Sequence, residues 1–339
     1  MQTGAPYALV IRKGSPDSPI ATSVETGITF LKKCAGPGVI ELVGSLTYSR
    51  VTKEREQKTI MLVLPYYSGG SLRTALNTGK LTKEMMLPIG EALRDAVVRI
   101  HGLGVTHNDI KLENVLFNLF PRAPTDAVAL TDFELAQGIK EPLTDCKGTP
   151  LYLAPELTRV PLKVDAEASD LWALGITLFG LCTGGKHFLL ECLGDLENTD
   201  HRTYAQAYEY YLKLKKFSES DIAGERYKLA NAFYHISRQG GTPERCTQYV
   251  KAHVDAQFGN TPAVRLSSLV FYRLHQWDGA PSRYQMVIDT CLNKYESCIP
   301  EAFRWGIAAC LRINPRERVL QSMALLRPRG GGLARHVPQ

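Results

Sequence analysis

The stretch GVTHNDIKLENVLF, residues 104–117, sets an Asp, a Lys and an Asn at 109, 111 and 114 between residues that prefer burial, Val105 on one side and Val115-Leu116-Phe117 on the other. A solvated turn between two strands would account for the polar groups alone. A loop that presents oxygen and ammonium groups to a phosphate, a metal and a hydroxyl accounts for the spacing as well. The surrounding chain decides between them.

Upstream, Leu81 to Leu103 places Met86, Ile89, Leu93, Val97 and Ile100 at three- and four-residue steps, which predicts a helix. Downstream, short strands are expected around 115–117 and 127–131, then an irregular segment to about 155, and a helical chain from 168 onward. Toward the N-terminus, residues 7–13 (YALVIRK) and 59–64 (TIMLVL) read as strands, with a third candidate at 38–43 (GVIELV) and a short helix over 22–34. The pattern is a small β-rich lobe, a Gly/Ser connector at 66–70 and a larger helical lobe.

Composition bounds the rest. With 339 residues and 44% hydrophobic content, the chain can bury one large core or two modest ones. The net charge of +6 comes from basic residues spread along the sequence, so nucleic-acid binding is not favoured. Eight cysteines without a C-x-x-C pair suggest reduced thiols. The N-terminus has no long apolar stretch, and Leu171–Cys182 is too short to span a bilayer. An intracellular, cytoplasmic protein without a membrane segment is expected. Cys246, His253, Cys291 and Cys298 are too widely spaced to read as zinc ligands.

His107-Asn108-Asp109-Ile110-Lys111-Leu112-Glu113-Asn114 resembles the catalytic loop of protein kinases. Other elements follow in the family's order. Asp132-Phe133-Glu134 stands where the family has Asp-Phe-Gly, Gly148–Glu156 looks like the end of the activation segment with Ala-Pro-Glu, and Asp170–Gly175 resembles the start of the long buried helix. Cys310–Arg318 matches the closing Arg motif. The resemblance implies an α+β, two-lobed kinase-like fold. Residues 1–65 would form a partial N-lobe and 66–339 the C-lobe, with a helical insertion at about 190–290 and a disordered basic tail at 327–339.

It implies chemistry too. ATP and Mg²⁺ would be the cofactors and a protein the substrate. Asp109 would orient the substrate hydroxyl, Lys111 would offset charge on the transferred phosphate, and Asn114 and Asp132 would ligate the metal. Adenine would meet the backbone of Pro65 and Tyr67, with Leu64 as gatekeeper and Leu116 beneath it. Lys13 would hold the α/β-phosphates and pair with Glu25, with Arg12, or a plain surface lysine at 13, as the alternative. His107 and Asp170 would be architectural, and Glu156 and Arg318 a buried ion pair.

Three departures from the family pattern stand out: no Gly-rich loop precedes Lys13, Glu134 replaces a glycine, and Asn108 replaces an arginine. Glutamate tolerates poorly the backbone angles that glycine allows, so a stiffer loop or a carboxylate near the metal is expected at 134. Loss of the arginine suggests activity without phosphorylation of the activation segment, at Thr144 or Thr149. Lys111 and Gly148-Thr149 favour the Ser/Thr branch. In the insertion, Tyr204, Tyr208 and Tyr211 share one helix face. That stripe either packs onto the large lobe or docks a protein partner. A Ser/Thr protein kinase is the leading expectation, a pseudokinase scaffold the alternative, and a small-molecule kinase is argued against by the peptide-docking segment.

Overall fold

A computed structural model describes residues 6–16, 18–51, 56–119, 121, 127–141, 147–158, 164–193, 217–258 and 281–318, together with 205, 208, 209 and 212. Thr144, Tyr204, Tyr211 and the tail at 327–339 lie outside the described residues.

The small lobe is a three-stranded antiparallel sheet of β1 (Tyr7–Gly14), β2 (Gly44–Val51) and β3 (Glu56–Pro65), with β3 in the centre. Alternation along β1 turns Ala8, Val10 and Arg12 inward and leaves Tyr7, Leu9, Ile11 and Lys13 exposed. Helix α1 (Pro19–Lys33) starts where the Ser18 side chain accepts the Ala21 N–H at 3.2 Å and Pro19 supplies a helical φ. It ends on Lys32 and Lys33, whose charge suits a helix C-terminus. Its buried residues, Ala21, Val24, Gly27 and Leu31, recur at three- and four-residue steps.

One expected strand is displaced. Residues 38–43 carry only a parallel bridge from Val39 to Leu130, supported by hydrogen bonds from the Ile40 N–H to the Leu130 carbonyl and from the Leu130 N–H to the Gly38 carbonyl. Val39 and Ile40 are buried where the run meets Leu130 of the large lobe, whereas Glu41 and Val43 are exposed. The strand proper is β2, whose residues after Gly44 are all exposed, so burial left little apolar signal in its sequence.

The large lobe follows as β4 (Gly70–Ser71), α2 (Leu72–Asn77), α3 (Lys83–Gly102), β5 (Val105–Thr106), β6 (Val115–Phe117), β7 (Val128–Leu130), β8 (Gln137–Gly138), α4 (Ala166–Cys182) and α5 (Phe188–Leu193). Helices α6 (Glu219–Arg238), α7 (Pro243–Phe258), α8 (Pro281–Lys294) and α9 (Glu301–Cys310) complete it. Every residue of α4 from Ala168 to Cys182 is buried, as befits a helix that is apolar all round. Close approach depends on glycine. A Cβ at Gly175 would lie 2.8 Å from Cys310 Cβ of α9, and one at Gly90 would meet the Phe303 ring.

The Glu156–Arg318 pair forms as expected. Arg318 donates to both carboxylate oxygens, at 2.5 and 2.8 Å, and to the carbonyls of Ala168, Arg312 and Ile313. Its guanidinium also lies 5.0 Å from the Trp172 ring centroid.

Among the described residues, two apolar cores result. The main one runs from Val24 to Leu311 and includes Ile288 and Cys291 of α8. A separate one joins Tyr208, Leu212, Ile222, Leu229, Val250 and Val254. Tyr208 therefore packs inside the insertion and not onto the main core, because α6 and α7 supply an apolar surface of their own. Among the described residues, no helix is long and apolar enough to cross a membrane.

Candidate active site

The loop at 107–114 is positioned from below by Asp170, fully buried on α4. Its carboxylate accepts the backbone N–H groups of His107 and Asn108 at 2.7 and 2.8 Å and lies 2.9 Å from His101 Nε2. Two adjacent amides are thereby fixed to the most deeply buried helix. His107 accepts the Asp109 N–H at Nδ1, 3.2 Å away, which leaves Nε2 to donate to the Thr131 carbonyl at 3.0 Å. Burial pushes its pKa down, in keeping with a neutral ring. The ring stands edge-on to Phe133, with centroids 4.7 Å apart.

Asn108 and Asp132 are the two described non-glycine residues with positive φ, 63° and 66°. Asn and Asp tolerate this conformation better than most residues. At 108 the side-chain amide also donates to the Leu135 carbonyl at 2.9 Å, which ties the loop to the segment after Asp132. Glu134 needs no such conformation, because the strained angle falls on Asp132, so the expected backbone conflict at 134 does not arise.

Asp109 is 8% exposed and receives four donors. Oδ2 accepts from Lys111 Nζ at 2.6 Å and Asn114 Nδ2 at 2.9 Å, while Oδ1 accepts from the Thr149 N–H at 3.0 Å and its hydroxyl at 2.7 Å. Lys111 Nζ also donates to Thr149 Oγ at 2.7 Å. These bonds use all four lone-pair positions of the carboxylate. Thr149, which the sequence marked only as a hint of substrate class, thus sits at the centre of the cluster.

Between the lobes lies a cleft of about 400 Å³. It is lined by Leu64, Pro65, Tyr67 and Leu116 at one end and by Asn114 and Asp132 at the other. Asp109 and Lys111 do not line it; Asn114, which does, donates to Asp109, and Lys111 donates to Asp109 in turn. Nor does Lys13: it is exposed, and Arg12 lines the cleft in its place. Strand alternation is the reason: Arg12 shares the face of Val10, and Lys13 lies on the opposite one.

Arg12 Nε lies 3.0 Å from Glu134 Oε1. Burial first, then the nearby Asp132, push the Glu134 carboxyl up, and Arg12 partly opposes them. Glu25, expected beside Lys13, is exposed and holds Lys58 at 2.5 Å. Glu113 is likewise taken internally, by Arg73 at 2.8 Å.

The site suits a hard divalent cation bound together with a phosphate. Asn114 spends its amide nitrogen on Asp109, at the carbonyl and at Oδ2, which leaves its Oδ1 to pair with the Asp132 carboxylate as an oxygen donor. Among the described residues, no cluster of three or more His, Cys, Asp or Glu side chains could hold an ion unaided. A sparse oxygen set completed by waters and phosphate oxygens is the environment Mg²⁺ accepts.

The protein kinase domain family model matches residues 2–319, and the chain belongs to that family. Among curated relatives, a serine/threonine-protein kinase of Drosophila persimilis is 33% identical over 193 residues, covering 56% of this chain and 24% of its own. Its Drosophila melanogaster counterpart is 32% identical over the same length. A probable serine/threonine-protein kinase of Dictyostelium discoideum is 29% identical over 177 residues, 49% of this chain and 23% of that one. The chain thus spans about a quarter of the length of these relatives.

Proposed function

We propose that this domain transfers the γ-phosphate of ATP, with Mg²⁺, to serine or threonine hydroxyls of proteins. The observation that carries the proposal is the convergence of Lys111, Asn114 and Thr149 on the Asp109 carboxylate, with Asn114 itself and Asp132 lining the cleft.

Phosphoryl transfer needs positioning and charge neutralisation more than covalent help. Asp109 would accept the substrate hydroxyl in place of one of its present donors and aim its oxygen along the cleft. Lys111, free to swing from Asp109 toward a phosphate oxygen, would offset negative charge there. Asn114 and Asp132 would hold the metal, which would supply positive charge to offset that of the phosphates. Leu116 would lie beneath the base with Leu64 as gatekeeper, while the Pro65 carbonyl and the Tyr67 N–H would read its edge. The Lys111–Thr149 bond supports the Ser/Thr assignment.

A second reading, a non-catalytic protein-binding module, draws support from Glu134, a carboxylate that stands two residues from Asp132 and lines the same cleft. Labelled γ-phosphate transfer to a generic basic protein separates the two. Wild type should label serine and threonine, and Asp109→Asn should lose about 10²–10⁴-fold in rate. Equal background labelling by wild type, Asp109→Asn and Asp132→Asn would establish the binding-module reading instead.

A further inference from the structure

One wall of the cleft carries an ion pair that the transfer step does not use. Arg12 reaches in from β1, Glu134 from the turn that follows Asp132, and they meet at Nε and Oε1, 3.0 Å apart. Helix α1 packs on the same wall and brings no acid to it. Its one carboxylate, Glu25, is exposed and bonded to Lys58, while its buried positions are Ala21, Val24, Gly27 and Leu31. Gly27 lets the helix lie against the Glu134 turn almost backbone to backbone, since a Cβ there would be 3.2 Å from the Glu134 nitrogen and 3.3 Å from the Phe133 carbonyl carbon.

We propose that Arg12 is the ligand for the α- and β-phosphates of the nucleotide and that Glu134 is the residue positioning it, so the strand's cation is latched to the metal-binding turn and not to helix α1. The inference rests on the nucleotide-binding reading above. A guanidinium suits this double duty. It is a rigid fork with five N–H donors, so Nε can stay on Glu134 while the two terminal nitrogens face phosphate oxygens. A lysine ammonium is a point charge without that division of labour. Because Glu134 lies two residues from Asp132, one turn would set both the metal ligand and the phosphate cation, and the helix would be free of that task.

The sign of one substitution discriminates. Removing a carboxylate from the neighbourhood of a polyanion should by itself tighten nucleotide binding. If Glu134 works by holding Arg12, Glu134→Gln should weaken it. Titration of a fluorescent ADP analogue, with and without Mg²⁺, gives the readout without turnover. Arg12→Met should lose about tenfold or more in affinity, the worth of a charge-assisted contact to phosphate. Glu134→Gln should lose several-fold, the double variant should be no weaker than Arg12→Met alone, and Glu25→Gln should bind as wild type.

Arg12→Lys and Glu134→Asp, milder changes read by the same titration, should fall between wild type and these losses, and thermal melts establish that each variant is folded. Glu134→Gln binding as well as wild type or better, losses that simply add, or an equal loss in Glu25→Gln would overturn the inference alone. A wild type that binds no nucleotide would overturn it together with the proposed function.

Discussion

At the residue scale, several site side chains are placed by hydrogen bonds to groups far off in sequence, as Asp170 is to the amides of His107 and Asn108. His187 differs: neither of its buried ring nitrogens has a hydrogen-bond partner. The ring lies edge-on to Tyr152, with centroids 5.1 Å apart. Burial first, then Arg73, depress its pKa to about 4. In the unfolded chain it titrates near the ordinary histidine value, about 6.5, so below that pH the unfolded state binds the extra proton. Stability contributed by the neutral ring is present above that value and is lost as pH falls from about 6.5 toward 4. The loss is on the order of 3 kcal/mol across that window. Urea denaturation of wild type and His187→Phe at several pH values should show the variant's stability falling less steeply between neutrality and pH 4.5. Parallel curves would remove His187 as the cause.

At the element scale, the fold depends on how closely α4 meets its neighbours. Gly175 is the tightest point between α4 and α9, and the neighbour in the way is the Cys310 Cβ, an atom that moves only with its backbone. Gly175→Ala gains helix propensity, about 1 kcal/mol in an exposed helix. Overpacking costs more, typically about 1–3 kcal/mol, and shifts backbone. The variant is therefore expected to melt lower than wild type, and a higher melting temperature would show that α9 can retreat without penalty. The strands teach a related lesson. Region 59–64 was legible because its inward face is apolar and region 7–13 because apolar residues occupy both its faces, whereas β2 after Gly44 is exposed and mixes polar with apolar residues.

At the scale of the whole molecule, two cores imply two cooperative units. Leu229 belongs to the smaller core and is 5% exposed. Leu229→Ala should cost about 2–5 kcal/mol, as buried Leu-to-Ala changes do. The loss should be confined to that unit. Hydrogen exchange should then quicken at amides of α6 and α7 while α4 keeps its protection. Equal loss of protection in α4 would mean that the two cores fold as one. Tyr227 and Tyr234 of α6 are exposed and stand outside this core, so its integrity does not depend on them.

The sequence by itself determined the two-lobed class, the strands at 7–13 and 59–64 and the identity of the loop at 107–114, because those depend on local periodicity and on side chains a few residues apart. Only the tertiary structure decided the place of β2, which cation enters the cleft, what holds it and where Tyr208 is buried. Arg12 and Glu134 are 122 positions apart, and no local pattern joins them. Their meeting depends on how β1, α1 and the turn after Asp132 pack, which is a property of the folded chain as a whole.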